Sequence, residues 1–517
     1  MRVRQEKARG SAPTPDRSGV SPGYLSQIER ATMTEAATSG RVLSVASECV
    51  PLIKTGGLAD VVGALPGALA GEGWDVRTLI PAYPGLLDRL SDVRVVWQDA
   101  SLFGGPARIV AGQAGGLALY LLEAAHLFDR PGGPYSAGGA DHPDNAERFA
   151  ALSWAAAALA AEGDDDGWRA DVLHAHDWQA GFAPAYLRWA FPGTGIASVL
   201  TIHNIAFQGI APAQKLVALR LPRDEFHQGS LEYWGNISSL KAGLVTADRI
   251  TTVSPTYAEE LMRPAFGMGL EGVIADRELA LSGILNGIDA AVWSPEADAA
   301  VTPYGTANMR GKATNRAALC RELGLEPGSG PLAIVVSRLS HQKGIDLLIA
   351  ALPGFIAGGG SLAVLGSGDA GLEASLQVLA RRFPGRVAVH TGYDEDLAHR
   401  MFAGGDAVLV PSRFEPCGLT QMYGLRYGAV PVVALTGGLA DTVIGASPAS
   451  LAAGAATGIT FHPVDELALS RALDKLLRLY ADKTVWKAMQ RRAMQADFGW
   501  SAAARAYGAL YRGLTAR

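Results

Sequence analysis

The sequence predicts an α/β protein of two doubly wound, Rossmann-like domains facing each other across a cleft, and three observations predict it. From residue 41 onward short β-branched runs alternate with longer Ala/Leu-rich stretches, the rhythm of βα units that build parallel sheets. The runs fall into two sets, parted by a stretch of turn residues. The hexapeptide TGGLAD stands at 55–60 and again at 436–441, each time after a β-run and before a helix-like pattern, as when one architecture is used twice.

At 517 residues the chain exceeds one ordinary domain and suits roughly two to four units, of which two large ones suffice. Apolar residues make up 49% and charged residues 18%, enough to bury proper cores, which excludes a mainly disordered chain. A formal charge of -5 gives no general attraction for polyanions. Neither nucleic acid nor an acidic membrane is therefore expected as a partner, and any basic site must be local. Cys49, Cys320 and Cys417 lie far apart with no CxxC spacing, against a disulfide scaffold or structural zinc and in keeping with a cytoplasmic protein. An oligomer stays open.

The first forty residues are polar, with Pro, Gly, Ser and Arg, and residues 1–40 read as an unfolded extension with no apolar secretory stretch. Within it GVSPGYLSQIER (19–30) is similar to the end of a helix-turn-helix, without a complete motif around it. RVLSVAS (41–47), DVRTLI (75–80), LALYLLE (117–123), DVLHA (171–175), ASVLTI (197–202), RITTVS (249–254) and SGIL (282–285) are the expected strands of a first domain, 41–285. FAALSWAAAALAA (149–161) is too short and Ala-rich to span a bilayer and reads as a buried helix. NGIDAAVWSPEAD (286–298) carries turn residues and little periodicity, which puts the hinge there. LAIVVS (332–337), SLAVLG (361–366), RVAVHT (386–391), AVLVPS (407–412), PVVAL (431–435) and GITFH (458–462) are the expected strands of a second domain, 286–499.

Each TGGLAD is then a strand-to-helix turn. A glycine pair, Gly56 and Gly57 in the first copy, lets a ligand approach the main chain, and the helix start offers free N–H groups. The plainer alternative is a tight turn serving helix packing. Ligands of parallel sheets sit beyond the carboxyl ends of strands, so both turns are expected to face one cleft. Only the first follows a cation, Lys54, suited to a phosphate.

LHAHDWQAG (173–181) sets His174, His176 and Asp177 at a strand end, and TIHNIAFQG adds His203. Such a string can hold a divalent ion, which keeps a metal hydrolase as a competing class; two histidines on one strand face, satisfied by buried partners, are the alternative. The acidic run DDD at 164–166 reads as a solvated loop.

SRLSHQKG (337–344) sets Arg338 and Lys343 five residues apart after a β-run, cations suited to a diphosphate, with a surface charge pair as the alternative. In PSRFEPCGLTQMYGLRYGAVPVV (411–433) Glu415 precedes a helix, where it either caps the start or accepts sugar hydroxyls. Cys417 reads as a packing residue, with no histidine beside it in sequence to activate it.

Taken in order, KTGGLADVVGALP, HAHDWQAG, TIHNIAFQG, LEYWGNISSLKAG, VSPTYAEE, NGID, SRLSHQKG, HTGYDE and SRFEPCGLTQMYGLRYG closely resemble the bacterial glycogen synthases and plant starch synthases. The match is collinear from about residue 41 to the C-terminus. That resemblance implies a GT-B glycosyltransferase carrying glucose from ADP-glucose to the non-reducing end of an α-1,4-glucan with retention of configuration, without metal or other cofactor. It implies that the last helix, within 500–517, crosses back to the first domain. By position it makes Glu415, Lys343, Arg338, Asp177 and His203 the catalytic set. The donor and acceptor would meet Lys54, Gly56, Gly57, Asp60, Asn204, Asn286, Tyr393, Cys417, Gly418, Leu419 and Thr420, with HLFDRPGGPY (126–135) on the acceptor side. Leu435 stands where several relatives carry arginine, and Tyr423 where a related group carries a second glutamate, which disfavours that group. A transferase for UDP-glucose and a glucan-binding protein without catalysis remain the other readings.

Overall fold

The computed structural model describes residues 39–326 and 328–516, so the helix-turn-helix-like stretch at 19–30 and nearly all of the expected extension lie outside the described residues. Residues 39–517 cluster as one compact unit built on two large sheets. The first has nine strands in the order Leu281–Gly283, Arg249–Thr252, Ala197–Ile202, Val172–His176, Gly40–Val45, Trp74–Pro81, Leu117–Glu123, Gly105–Ala114, Ser91–Leu102. The seven expected strands are all there and run parallel to one another. The other two form an unexpected antiparallel hairpin at one edge. Its outer strand is mostly exposed and reads SDVRVVWQDASL, with too little apolar patterning to announce itself.

The second sheet has six strands, all parallel, in the order Val387–Thr391, Ser361–Gly366, Leu332–Val336, Ala407–Val410, Val430–Ala434, Ile459–Phe461, and each was expected. Both sheets reverse their winding beside their first strand: Gly40–Val45 lies between Trp74–Pro81 and Val172–His176, and Leu332–Val336 between Ser361–Gly366 and Ala407–Val410. Helices that leave such a sheet on opposite faces open a crevice at the carboxyl ends of those strands. The residues following Val45, His176, Val336 and Val410 are therefore where ligands are to be sought.

The alanine-rich run lies in the helix Asn145–Glu162 and is buried, small side chains letting it press closely on the first sheet. Among the described residues no helix is long and apolar enough to cross a membrane. The acidic run departs from expectation: Asp164 is buried, takes Arg77 at 2.7 Å and Tyr120 at 2.7 Å, and accepts the backbone N–H of Trp168, while Asp165 and Asp166 are exposed.

Two stretches link the halves and run side by side, Ile288 donating its N–H to Phe498 O at 2.8 Å. The helix Ser501–Thr515 then lies against Gly57–Ala70 in a shared apolar cluster holding Leu65, Leu69, Trp74, Tyr507 and Tyr511. The halves also meet directly. Ser254 Oγ donates to Pro416 O at 2.6 Å, and Asp441 takes the N–H and hydroxyl of Thr256 at 2.9 and 2.7 Å.

Candidate active site

In the second half, the loop after Val336 leads through Arg338 and Lys343 into the helix Ile345–Ala357, whose free N–H groups face the crevice end of the strand. Gly344 makes this possible. Its φ is +67°, and a Cβ there would stand 2.0 Å from Pro411 O, so only glycine lets the loop meet the end of the neighbouring strand. Arg413, after that neighbouring strand, grips Asp346 through both guanidinium nitrogens at 2.7 Å and ties the two loops together. Lys343 Nζ stands 2.5 Å from Glu415 Oε2, which also accepts from Ser412 Oγ at 2.8 Å, and Glu415 is buried. Glu415 caps no helix, because the next one, Thr420–Tyr427, starts five residues later. Arg338 is exposed, with its guanidinium unpaired among the described residues.

Cys417, Gly418 and Leu419 follow Glu415 into the junction between the halves. Burial pushes the Cys417 thiol up to about 12, which removes it as a nucleophile. Asn286, from the linking stretch, lies against that sulfur with its own Oδ1 buried and unpartnered. Thr420 Oγ1 donates to Val336 O at 3.3 Å.

In the first half Glu48, a residue sequence reasoning missed, organises the crevice. Its carboxylate takes the backbone N–H and hydroxyl of Thr55, the N–H of Gly56 at 3.2 Å and the hydroxyl of Tyr135 at 2.8 Å. The TGG turn and the 126–135 loop thus share one anchor. Arg148, fully buried, holds that loop from beneath through the carbonyls of Leu127 and Pro134. Lys54 pairs with Asp60 at 2.8 Å, and burial raises the Asp60 carboxyl above its ordinary value despite that pairing. Across the cleft Tyr393, 78% exposed, donates its hydroxyl to Glu395. Asp60, Tyr393, Glu395 and Cys417 all lie close enough to Tyr423 to act on it electrostatically, so groups from both halves converge there.

Asp177 follows the strand Val172–His176 in a left-handed conformation, φ 55°, a strained backbone typical of a residue whose direction matters. Its Oδ1 accepts the N–H groups of His203 at 2.6 Å and Asn204 at 3.3 Å, and burial pushes its carboxyl up to about 7. Burial pushes His174 and His203 down to about 3 and His176 well below its ordinary value, so all three rings are neutral. Both nitrogens of His174 are taken, by Thr201 Oγ1 at 2.6 Å and Tyr511 at 2.7 Å. Both of His176 are taken too, by Ser44 Oγ at 3.1 Å and His203 Nε2 at 3.0 Å. The histidine string is a hydrogen-bonded row, and among the described residues no group of three His, Cys, Asp or Glu side chains is placed to hold a metal ion.

The two TGGLAD copies do not share a role, contrary to the expectation of two turns facing one cleft. The first is open: Gly56 and Gly57 are exposed, and a Cβ on either meets nothing within 4 Å. The second is buried against the first half. Thr436 Oγ1 and Gly437 N donate to Glu260 at 2.7 and 3.1 Å, and a Cβ on Gly437 or Gly438 would stand 2.0 Å from Glu415 O or 2.1 Å from Cys417 O. A cavity of about 290 Å³ lined by Pro184, Arg188, Phe191 and Ser198 opens at the amino ends of the first sheet, the wrong end for a crevice ligand.

Comparison with known proteins agrees with this arrangement. Residues 41–276 match the family model of the starch synthase catalytic domain, and residues 321–493 that of the glycosyl transferases group 1. The chain is 63% identical to a glycogen synthase of Cereibacter sphaeroides over 92% of its own length and 99% of that protein's. It is 60% identical to one of Paracoccus denitrificans over 92% and 100%. The catalytic domain of starch synthase IV from Arabidopsis thaliana, solved bound to ADP and acarbose, superposes with a TM-score of 0.83 at 31% identity, covering 92% of this chain and 100% of that one. A sucrose-phosphate synthase from Thermosynechococcus elongatus, at 21% identity and a TM-score of 0.58 over 92% and 99%, shares the fold.

Proposed function

The chain belongs to the glycogen synthase family of glycosyltransferases, and we propose on that premise that it transfers glucose from ADP-glucose to the non-reducing end of an α-1,4-glucan with retention of configuration. The observation that carries this reading is the cation pair at the second switch point: Arg338 unpaired, and Lys343 held by Glu415, both beside a helix start. When the bond from glucose to ADP breaks, negative charge grows on the diphosphate. Lys343, fixed by Glu415, the exposed guanidinium of Arg338 and the N–H groups at the start of Ile345–Ala357 would stabilise it as it forms, with no resident metal needed for that step. Lys54 would reach the donor from the open TGG turn, leaving its own Asp60 to do so, and Tyr393 would lie beside the base.

Asp177 suits a positioning role better than attack. One of its oxygens is engaged by two backbone N–H groups, and its carboxyl is half-protonated near neutrality, which weakens it as a nucleophile. Both features favour attack by the acceptor on the face from which ADP departs, which also retains configuration. The reaction would run in the cytoplasm.

The test is incorporation of labelled glucose into glycogen from ADP-glucose and UDP-glucose in parallel, with and without EDTA. ADP-glucose is expected to be the better donor and the chelator to be without effect. Loss of transfer on chelation, restored by a divalent ion, would return the histidine row to consideration as a metal site.

A further inference from the structure

We propose that His176 is a positioning residue for the transfer reaction: by donating from Nδ1 to His203 Nε2 it holds the His203 ring in its Nδ1–H form and leaves that N–H for a sugar oxygen. The role of His203 rests on the glucosyl-transfer reading; the direction of the hydrogen bonds does not.

The direction follows from Ser44. Its hydroxyl lies in the strand Gly40–Val45, 4% exposed, and its one side-chain partner among the described residues is His176 Nε2 at 3.1 Å. A buried hydroxyl that accepts without donating leaves its proton unsatisfied in a place water cannot reach and bears the full desolvation cost of that donor, whereas one that donates leaves only a spare lone pair. Ser44 therefore donates, and His176 Nε2 accepts. A neutral imidazole carries one proton, so that of His176 sits on Nδ1, facing His203 Nε2 at 3.0 Å. His203 must then accept there and carry its own proton on Nδ1. That nitrogen has no protein partner among the described residues, and it is not among the buried atoms left unsatisfied, so it is open to solvent.

The row is braced on both sides. The His174 ring packs on His176 with centroids 4.1 Å apart and is itself fixed by Thr201 and by Tyr511 of the C-terminal helix. On the other side Asp177 holds the His203 backbone N–H. The tautomer of His203 is thus set by His176 and its main chain by Asp177, where the sequence alone offered His176 only as a possible metal ligand or a buried, satisfied histidine.

Two substitutions separate positioning from packing. In His176→Asn the amide falls where Nδ1 was and can still donate to His203; in His176→Gln it falls where Nε2 was and reaches Ser44 instead. The expected result is that Asn keeps kcat within a few-fold while Gln and Leu lower it on the order of 10- to 100-fold, the range typical when a ring-orienting partner is lost, with KM for ADP-glucose little changed. Independently, ¹⁵N-histidine spectra, with the His203 signals assigned by their loss in His203→Gln, should show a protonated Nδ1 and a bare Nε2 in the wild type and in His176→Asn, and a mixture in His176→Leu. Equal activity of Asn, Gln and Leu, or a wild-type His203 protonated on Nε2, overturns the proposal. A wild type that transfers no glucose overturns the functional reading instead, and the spectra still decide the tautomer.

Discussion

Glu260 in the first half accepts the hydroxyl proton of Thr436 in the second at 2.7 Å, in the same manner as Glu48 accepts that of Thr55 at 2.7 Å. Each TGG turn presents a threonine hydroxyl and a glycine N–H to one carboxylate. The repeated hexapeptide therefore repeats a local chemistry, and what differs is the origin of its glutamate. Glu48 comes from the same half and leaves the turn free to meet a ligand. Glu260 comes from the helix Pro255–Leu261 of the other half and turns the second copy into a clasp.

Equivalent glycines in the two copies should respond oppositely to alanine. Gly438→Ala drives a Cβ into Cys417 O and should cost several kcal/mol or prevent folding. Gly57→Ala, at the first turn of a helix with nothing within 4 Å, should change stability by less than about 1 kcal/mol yet reduce transfer, because the methyl group occupies the donor's approach. Thermal unfolding and donor KM of both variants check this.

The clasp should be measurable as a coupling. Thr436→Val and Glu260→Leu are each expected to destabilise by about 1–3 kcal/mol, and the double variant by clearly less than their sum, since each loses the same bond. Denaturant midpoints of the four proteins give the coupling; strict additivity would show that the bond contributes nothing.

Lys343→Ala should lower kcat on the order of 10²- to 10³-fold, as removal of a fixed charge-stabilising donor does, while far-ultraviolet circular dichroism stays native. Its loss also leaves the buried Glu415 with Ser412 alone, so a lower melting temperature is expected alongside.

Asp177 makes stability depend on pH with a predictable sign. Its folded carboxyl, near 7, keeps a proton that the unfolded chain releases near 4, so its contribution is full below about pH 4 and is lost as pH rises to about 7. Asp177→Asn should therefore gain on the wild type across that window, by up to about 4 kcal/mol, and level off above it. His174 and His203 act in reverse, favouring the fold above about pH 6.5 and ceasing to as pH falls toward 3, but they are common to both proteins and cancel in the difference. Paired denaturation curves from pH 4 to 8 decide it.

Thirteen strands were legible because parallel strands buried on both faces read as continuous apolar runs, as Leu332–Val336 and Ala407–Val410 do. The edge hairpin was not, since a strand such as Ser91–Leu102 with one wet face and broken register leaves no such run. Among site residues, Lys343 and Glu415 stood out by type and place, and the fold brings them together. Glu48 and Glu260 were invisible for a different reason: a carboxylate that grips backbone N–H groups has no sequence signature of its own, and the Glu260 bond joins residues 176 apart. The DDD run misled because composition cannot distinguish Asp164, sunk beneath Arg77, from its wet neighbours.

The pairing of Ile288 with Phe498 has a mechanical consequence. Two covalent tethers set far apart would act like the two sides of a door frame and resist any swing; tethers that run as one hydrogen-bonded ribbon act as an axle, leaving rotation about a single line as the soft coordinate. Any twisting of one part of the molecule on the other is then funnelled through Gly287, whose absent side chain lets the ribbon pass within touching distance of the Trp500 backbone.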